Sequence, residues 1–198
     1  MRRQLSYAVI ADGGTDQILL PIIRWSLHRI DPAVELLEPD FRKRVGSVAD
    51  YLRSYESGAM LVFVHRDSEN QTLDVRLREF ADVHRDDVVP VIPVRMTEAW
   101  LLADARAIAR AADAPDTEVV LPPISSLERI SDPKLCLDEL LLKAAGSPAG
   151  RRRKKFNNTL VERRINVASL VSDFSPLDRL ASFSAFQTVL RVKYPYAL

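Results

Sequence analysis

The sequence contains a single cysteine, Cys136, so no internal disulfide is available. Cys136 sits in the apolar pattern of Leu135, Leu140 and Leu141 and reads as a small buried hydrophobe. Long hydrophobic runs are also missing. Leu61 to Val64 and Val88 to Val94 are far shorter than the roughly 20 residues a membrane span needs, so no membrane partner is expected. The opening Met1-Arg2-Arg3-Gln4 is not followed by the apolar region and small-residue cleavage site of a secretory leader, and cytoplasmic residence is the expectation. No Walker-type lysine follows the first glycines, no G-x-G-x-x-G occurs, and no G-x-S-x-G occurs. P-loop ATPase, dinucleotide-binding and serine-hydrolase chemistry therefore have no foothold. The histidines His28, His65 and His84 have no zinc-ligand spacing.

An excess of one charge is absent as well. Lys and Arg total 28 against 27 Asp and Glu, a net charge of +1, while apolar residues make up 47%, an ordinary globular balance. The distribution is uneven, however. Arg151, Arg152, Arg153, Lys154 and Lys155 form one basic block with Arg163 and Arg164 just beyond it, while carboxylates concentrate in the first two thirds.

Strand and helix patterns alternate through the first half. Leu5 to Ala11 reads as a strand ending in turn residues, and a helix follows from Asp16 with Thr15 as its cap. Val34 to Leu37 is a weak strand and Val45 to Ser57 a helix stopped at Gly58. Ala59 to Val64 is a continuously apolar strand of the kind found inside a parallel sheet. Leu73 to Val83 reads as a helix. Val88 to Val94 is a strand whose prolines favour a sheet edge or a strand end. From Glu98 onward the segments Glu98 to Ala112, Pro133 to Ala145, Thr159 to Val171 and Pro176 to Val192 all look helical. The expected fold is α/β, a parallel sheet of about four strands with helices on both faces. Residues 1–112 would form this core, and residues 113–198 a helical extension packed on the same domain.

Ligands of open α/β sheets sit beyond the carboxyl ends of the strands. Here those ends carry Asp12 and Asp16, then Asp67 and Glu69, then Glu98. In extended chain Asp67 and Glu69 would share one face and converge on one cation. Several carboxylates in one crevice repel unless a cation joins them, and an all-oxygen set selects Mg²⁺ or Mn²⁺. Gly13 and Gly14 would let the backbone come close to a phosphate beside a helix N-terminus. Each carboxylate also has a plainer reading, as turn, cap or solvated-loop residue. Their shared position at one end of the sheet favours the functional one. The basic block would track a phosphate backbone, although Phe156 is the only aromatic beside it. Trp25 and Trp100 lie in apolar helical patterns and read as core.

Asp12-Gly13-Gly14-Thr15-Asp16 after a strand resembles the Glu-Gly-x-Thr-Asp motif that opens TOPRIM domains. The Phe63 to Glu69 region resembles the acidic Asp-x-Asp motif of a later TOPRIM strand. Met96 to Asp104 is similar to the Glu-Ala-Trp-Leu-Leu-Ala-Asp signature of a TOPRIM-like bacterial family related to OLD-type nucleases. Pro133-Lys134 and Ser182 to Phe186 extend the likeness over most of the chain. The resemblance implies Mg²⁺-dependent phosphodiester hydrolysis on nucleic acid, in a defence or mobile-element setting with an AAA-type ATPase partner. It implies Asp67 and Glu69 as metal ligands, with Asp12 and Asp16 completing the site and Glu98 joining or orienting it. Two positions depart from the pattern. Asp12 stands where a catalytic glutamate is usual, and Glu69 replaces the second aspartate of the acidic pair. A non-catalytic partner or sensor module for such an ATPase is the alternative. No tyrosine is placed for covalent strand passage.

Overall fold

The computed structural model describes residues 3–196. Four strands, β2 (Tyr7–Ala11), β4 (Asp40–Lys43), β5 (Leu61–His65) and β6 (Val88–Val91), form one parallel sheet in the order β4-β2-β5-β6. Two shorter strands, β1 (Gln4–Leu5) and β3 (Glu35–Leu36), pair with each other in a separate parallel ribbon. The strand read at Val34 to Leu37 therefore exists in part, but it does not belong to the main sheet. The place it was expected to fill is taken by β4, a polar segment, Asp-Phe-Arg-Lys, without apolar alternation. Such a segment can sit at an edge, where one face and one row of backbone groups meet solvent. β6 occupies the opposite edge, and Pro90 stands in register with Val64, consistent with the edge position its prolines favour.

Alternation of side chains along the strands explains the two layers. Tyr7, Val9, Leu61, Phe63, Val89 and Val91 point to one face, where they join the larger core. Ala8, Ile10, Val62, Val64 and Val88 point to the other, where they meet Val48 and Leu52 of α2 (Val48–Ser54). The larger face is covered by α1 (Leu19–Ile30) and by segments of the second half of the chain. These are α4 (Ala105–Ala111), α5 (Pro133–Ala144), α6 (Gly150–Asn157), α7 (Leu160–Leu170) and α8 (Ala181–Lys193). One apolar cluster thus runs continuously from Leu5 to Tyr194. Trp100 lies fully buried within it. Its ring meets Phe183 edge-on at 5.1 Å and stacks on Phe186 at 6.1 Å, and its indole N–H donates to Ser182 Oγ. Trp25 packs edge-on against Phe174. Trp100 is core, as its spacing indicates, while Trp25 and Cys136 are partly buried against the same cluster. Among the described residues no helix is long and apolar enough to cross a membrane.

Several boundaries differ from the sequence pattern. The helix expected from Asp16 begins as a tight 3₁₀ turn, Gly14–Ile18, before α1 takes over at Leu19. Its cap is Gly13 rather than Thr15, and the Gly13 N–H donates to Asp16 Oδ2 at 2.8 Å. Glu98 likewise opens a 3₁₀ turn, Thr97–Leu101, and α4 starts only after Asp104 caps it through the N–H groups of Arg106 and Ala107. The segment after β5 forms α3 (Leu73–Arg78), capped by Thr72. The basic block makes up most of α6.

Candidate active site at the carboxyl end of the sheet

Because all four strands of the main sheet run parallel, their carboxyl ends open on one edge, and the chain leaves each with a charged residue. β2 leads to Asp12, β4 to Arg44, β5 to Arg66 and Asp67, and β6 through a short extension to Thr97 and Glu98. At the centre is His65, the last residue of β5 and fully buried. Its Nδ1 lies 3.0 Å from Asp16 Oδ2, its Nε2 lies 3.0 Å from Asp67 Oδ1, and the Thr97 hydroxyl is 3.1 Å from Nε2. Burial opposes a charge on this imidazole, but hydrogen bonds and attraction from the two carboxylates outweigh it and push its pKa up to about 10. His65 is therefore an imidazolium at neutral pH, donating from both nitrogens. Burial works against ionisation of Asp16 too. The bond and charge of His65, aided by the N–H groups of Gly13 and Asp12, nevertheless hold Asp16 below the usual carboxylate range.

Asp12 belongs to a second group. It is ion-paired with Arg44 and lies 3.4 Å from Arg66 Nη1. Arg66 also donates to Glu79, which accepts from Arg76 as well, and Arg76 reaches Glu69 at 3.0 Å. The result is a chain of alternating charges from Arg44 through Asp12, Arg66, Glu79 and Arg76 to Glu69. The extended chain that would aim Asp67 and Glu69 together is broken, because Glu69 adopts a left-handed conformation with φ of 53°. Its N–H donates to the carbonyl of Arg95, itself left-handed at φ 69°, and its side chain turns away toward Arg76. Glu69 and Asp67 thus do not share a face.

Glu98 is buried and paired with Arg164 of α7, whose guanidinium also stands 3.4 Å from Asp138 without hydrogen-bond alignment. Burial first, then the negative charge of Asp67, raises the pKa of Glu98, and Arg164 offsets only part of this. Asp67 and Glu98 thus reach the same end of the sheet from separate strand ends.

Asp12, Asp16, Asp67 and Glu98 all lie at this end of the sheet, while Glu69 lies at its margin. Among the described residues no three His, Cys, Asp or Glu side chains form a ready-made metal cluster. The carboxylates at this end of the sheet offer only oxygen donors, which suit a hard divalent cation. Gly13 and Gly14 have negative or ordinary φ. A Cβ at Gly13 would meet only Thr15 Oγ1 at 3.9 Å, and one at Gly14 would meet nothing within 4 Å. Neither glycine is demanded by backbone strain, so what they provide is open space beside Asp12. Arg151 to Lys155 lie outside this cluster, on exposed turns of α6.

His65, Arg44, Arg66, Arg76, Thr97 and Arg164 were not legible as site residues. His65 ends an apolar run two residues before Asp67, the one local signal that could have singled it out. The arginines become partners only through long-range folding.

No protein-family model matches the sequence, and neither the curated proteins nor the solved structures include a significant match.

Proposed function

We propose that the carboxyl end of the sheet is the site of metal-dependent phosphodiester hydrolysis on nucleic acid. The observation that carries this reading is the convergence of Asp12, Asp16, Asp67 and Glu98 from separate parts of the chain on one end of the sheet, with Asp16 and Asp67 held on either side of buried His65. Asp67 and Glu98 would hold Mg²⁺ or Mn²⁺, with Asp12 at the rim. The bound ion would supply a Lewis acid for the phosphate and a more acidic bound water. His65, charged and buried, holds Asp16 and Asp67 in place and favours the ionised form of Asp16. Arg44 and Arg66, already facing Asp12, are placed to orient phosphate oxygens, and the space over Gly13 and Gly14 admits a backbone. Asp12 has a shorter reach than the glutamate usual in TOPRIM domains, which weakens it as a candidate for proton transfer.

The test is cleavage of labelled plasmid, single-stranded DNA and RNA with Mg²⁺, Mn²⁺ or EDTA, alongside Asp67→Ala. Metal-dependent cleavage that disappears in the variant is the expected result. Cleavage that persists in EDTA or in the variant would overturn the assignment.

A second reading, a non-catalytic TOPRIM-like partner or sensor for an AAA-type ATPase, is favoured by a specific observation. Each candidate carboxylate already has a cationic neighbour: Asp12 has Arg44, Asp16 and Asp67 have His65, Glu69 has Arg76, and Glu98 has Arg164. A site neutralised in this way needs no metal to fold. This reading predicts no turnover on any substrate with either metal.

A further inference from the structure

α6 carries five cations in succession, Arg151 to Lys155, and no carboxylate. All five are exposed, and among the described residues none is within ion-pair distance of a carboxylate. Several arginines elsewhere in the molecule are matched, although among the described residues Arg106, Arg110, Arg129 and Arg191 are not. Arg29 forms a two-pronged pair with Asp178, and Arg85 one with Asp87. Like charges three and four residues apart destabilise a helix, and the only side chain α6 buries is Phe156. The helix thus holds its charges together against their own repulsion.

The five cations are not equivalent. Arg152 and Lys155, one turn apart, line an open groove of about 290 Å³, together with Phe156, Thr159, Arg163 and one carboxylate, Asp113, which Arg163 neutralises. Arg163 is fixed in place. Its guanidinium lies 4.3 Å from the Phe156 ring centre, donates to the carbonyl of Ala111, and pairs with Asp113 at 2.8 Å. With Phe156 covered in this way, the groove offers no free ring on which a base could stack. What it offers an incoming ligand is two unpaired cations and a third held rigidly. The next residue of α7, Arg164, pairs with Glu98, and α7 packs on the Gly14–Ile18 and Thr97–Leu101 turns that carry Asp16 and Glu98. Consecutive residues of one helix therefore line the groove and the carboxylate site.

We infer that the groove between α6 and α7 binds the phosphate backbone of nucleic acid through Arg152, Lys155 and Arg163, holding the strand beside the carboxylates without reading its bases. The choice of nucleic acid as ligand rests on the hydrolysis reading above. The groove neutralises phosphates, so its affinity falls with salt, and each single-strand contact contributes about 0.7 to the slope of log affinity against log salt.

The test is fluorescence anisotropy of a labelled oligothymidylate and a labelled mixed-sequence strand, in EDTA so that binding is read without cleavage. Arg152→Glu with Lys155→Glu is compared with Arg151→Glu with Lys154→Glu, which makes the same charge change at the same spacing off the groove. The groove pair is expected to lose about tenfold or more in affinity and about 1.4 in salt slope, the control pair less than about threefold. Both pairs alter exposed side chains, and matching thermal unfolding midpoints confirm that they fold. Equal losses in the two pairs, a marked preference between the two strands, or no binding by the unaltered chain at low salt would each overturn the groove. Metal-dependent cleavage sensitive to Asp67→Ala but indifferent to the groove pair would sink the groove and leave hydrolysis standing. Groove-dependent binding without cleavage would do the reverse.

Discussion

The buried imidazolium of His65 ties the stability of the whole fold to pH in a range where most soluble proteins are indifferent. Its pKa is raised from 6.5 to about 10 by Asp16 and Asp67. A group whose pKa is higher in the folded state binds its proton more tightly there, so the contribution is complete below pH 6.5 and is lost as pH rises toward 10. The full difference corresponds to about 5 kcal/mol, and about 2 kcal/mol of it is lost between about pH 6.5 and pH 8.5. With a urea m-value of about 2 kcal/mol/M, the unfolding midpoint drops by about 1 M over that interval, with the slope unchanged. Urea melts followed by tryptophan fluorescence and far-ultraviolet circular dichroism between pH 6.5 and 9 measure this directly. Trp100 in the core and Trp25 against Phe174 report on the packing that carries the site. In His65→Asn the charge is gone, and the same interval should show an almost flat profile from a lower starting point. A flat profile in the unaltered protein, or the same slope in both, would refute the account of the triad.

Two further perturbations separate structure from chemistry. Arg164→Leu leaves Glu98 and Asp138 facing a buried apolar group, so it should cost about 3–5 kcal/mol in urea melts. Adding Glu98→Gln should recover part of that loss, because the stranded charge is removed. Gly14→Ala should change stability by less than about 0.5 kcal/mol, since its Cβ would meet open space. A cleavage rate that nevertheless falls on the order of tenfold or more in Gly14→Ala would show that substrate backbone uses this space.

The sheet was legible in the sequence where its strands are apolar and punctuated. Tyr7–Ala11 and Leu61–His65 are continuous runs buried on both faces, and Val88–Val91 carries Pro90, which suits an edge. Asp40–Lys43 was not legible because an edge strand need not be apolar, and its pairing with β2 is a long-range fact. The acidic residues were legible as a set because parallel strands deliver their ends to one edge. Their partners were not. Arg44 reaches Asp12 from 32 residues away and Arg164 reaches Glu98 from 66, distances over which no local pattern operates. Glu69 misleads for a related reason. Spacing of two implies a shared face only in extended chain, and the left-handed turn at Glu69 arises from backbone pairing with Arg95. The basic block was not legible as a helix, because five successive cations repel one another at helical spacing. It becomes a helix through the anchoring of Phe156 under Arg163.

Calorimetric titration of Mn²⁺ into the metal-free protein tests most directly whether this carboxylate end is a metal site. Asp67→Asn is the comparison, since an amide keeps a polar contact with His65 while losing the charge. The account predicts saturable binding by the unaltered chain, abolished or weakened by about tenfold or more in Asp67→Asn, with both proteins equally folded. No saturable binding by the unaltered chain, or equal binding by the two, would contradict it.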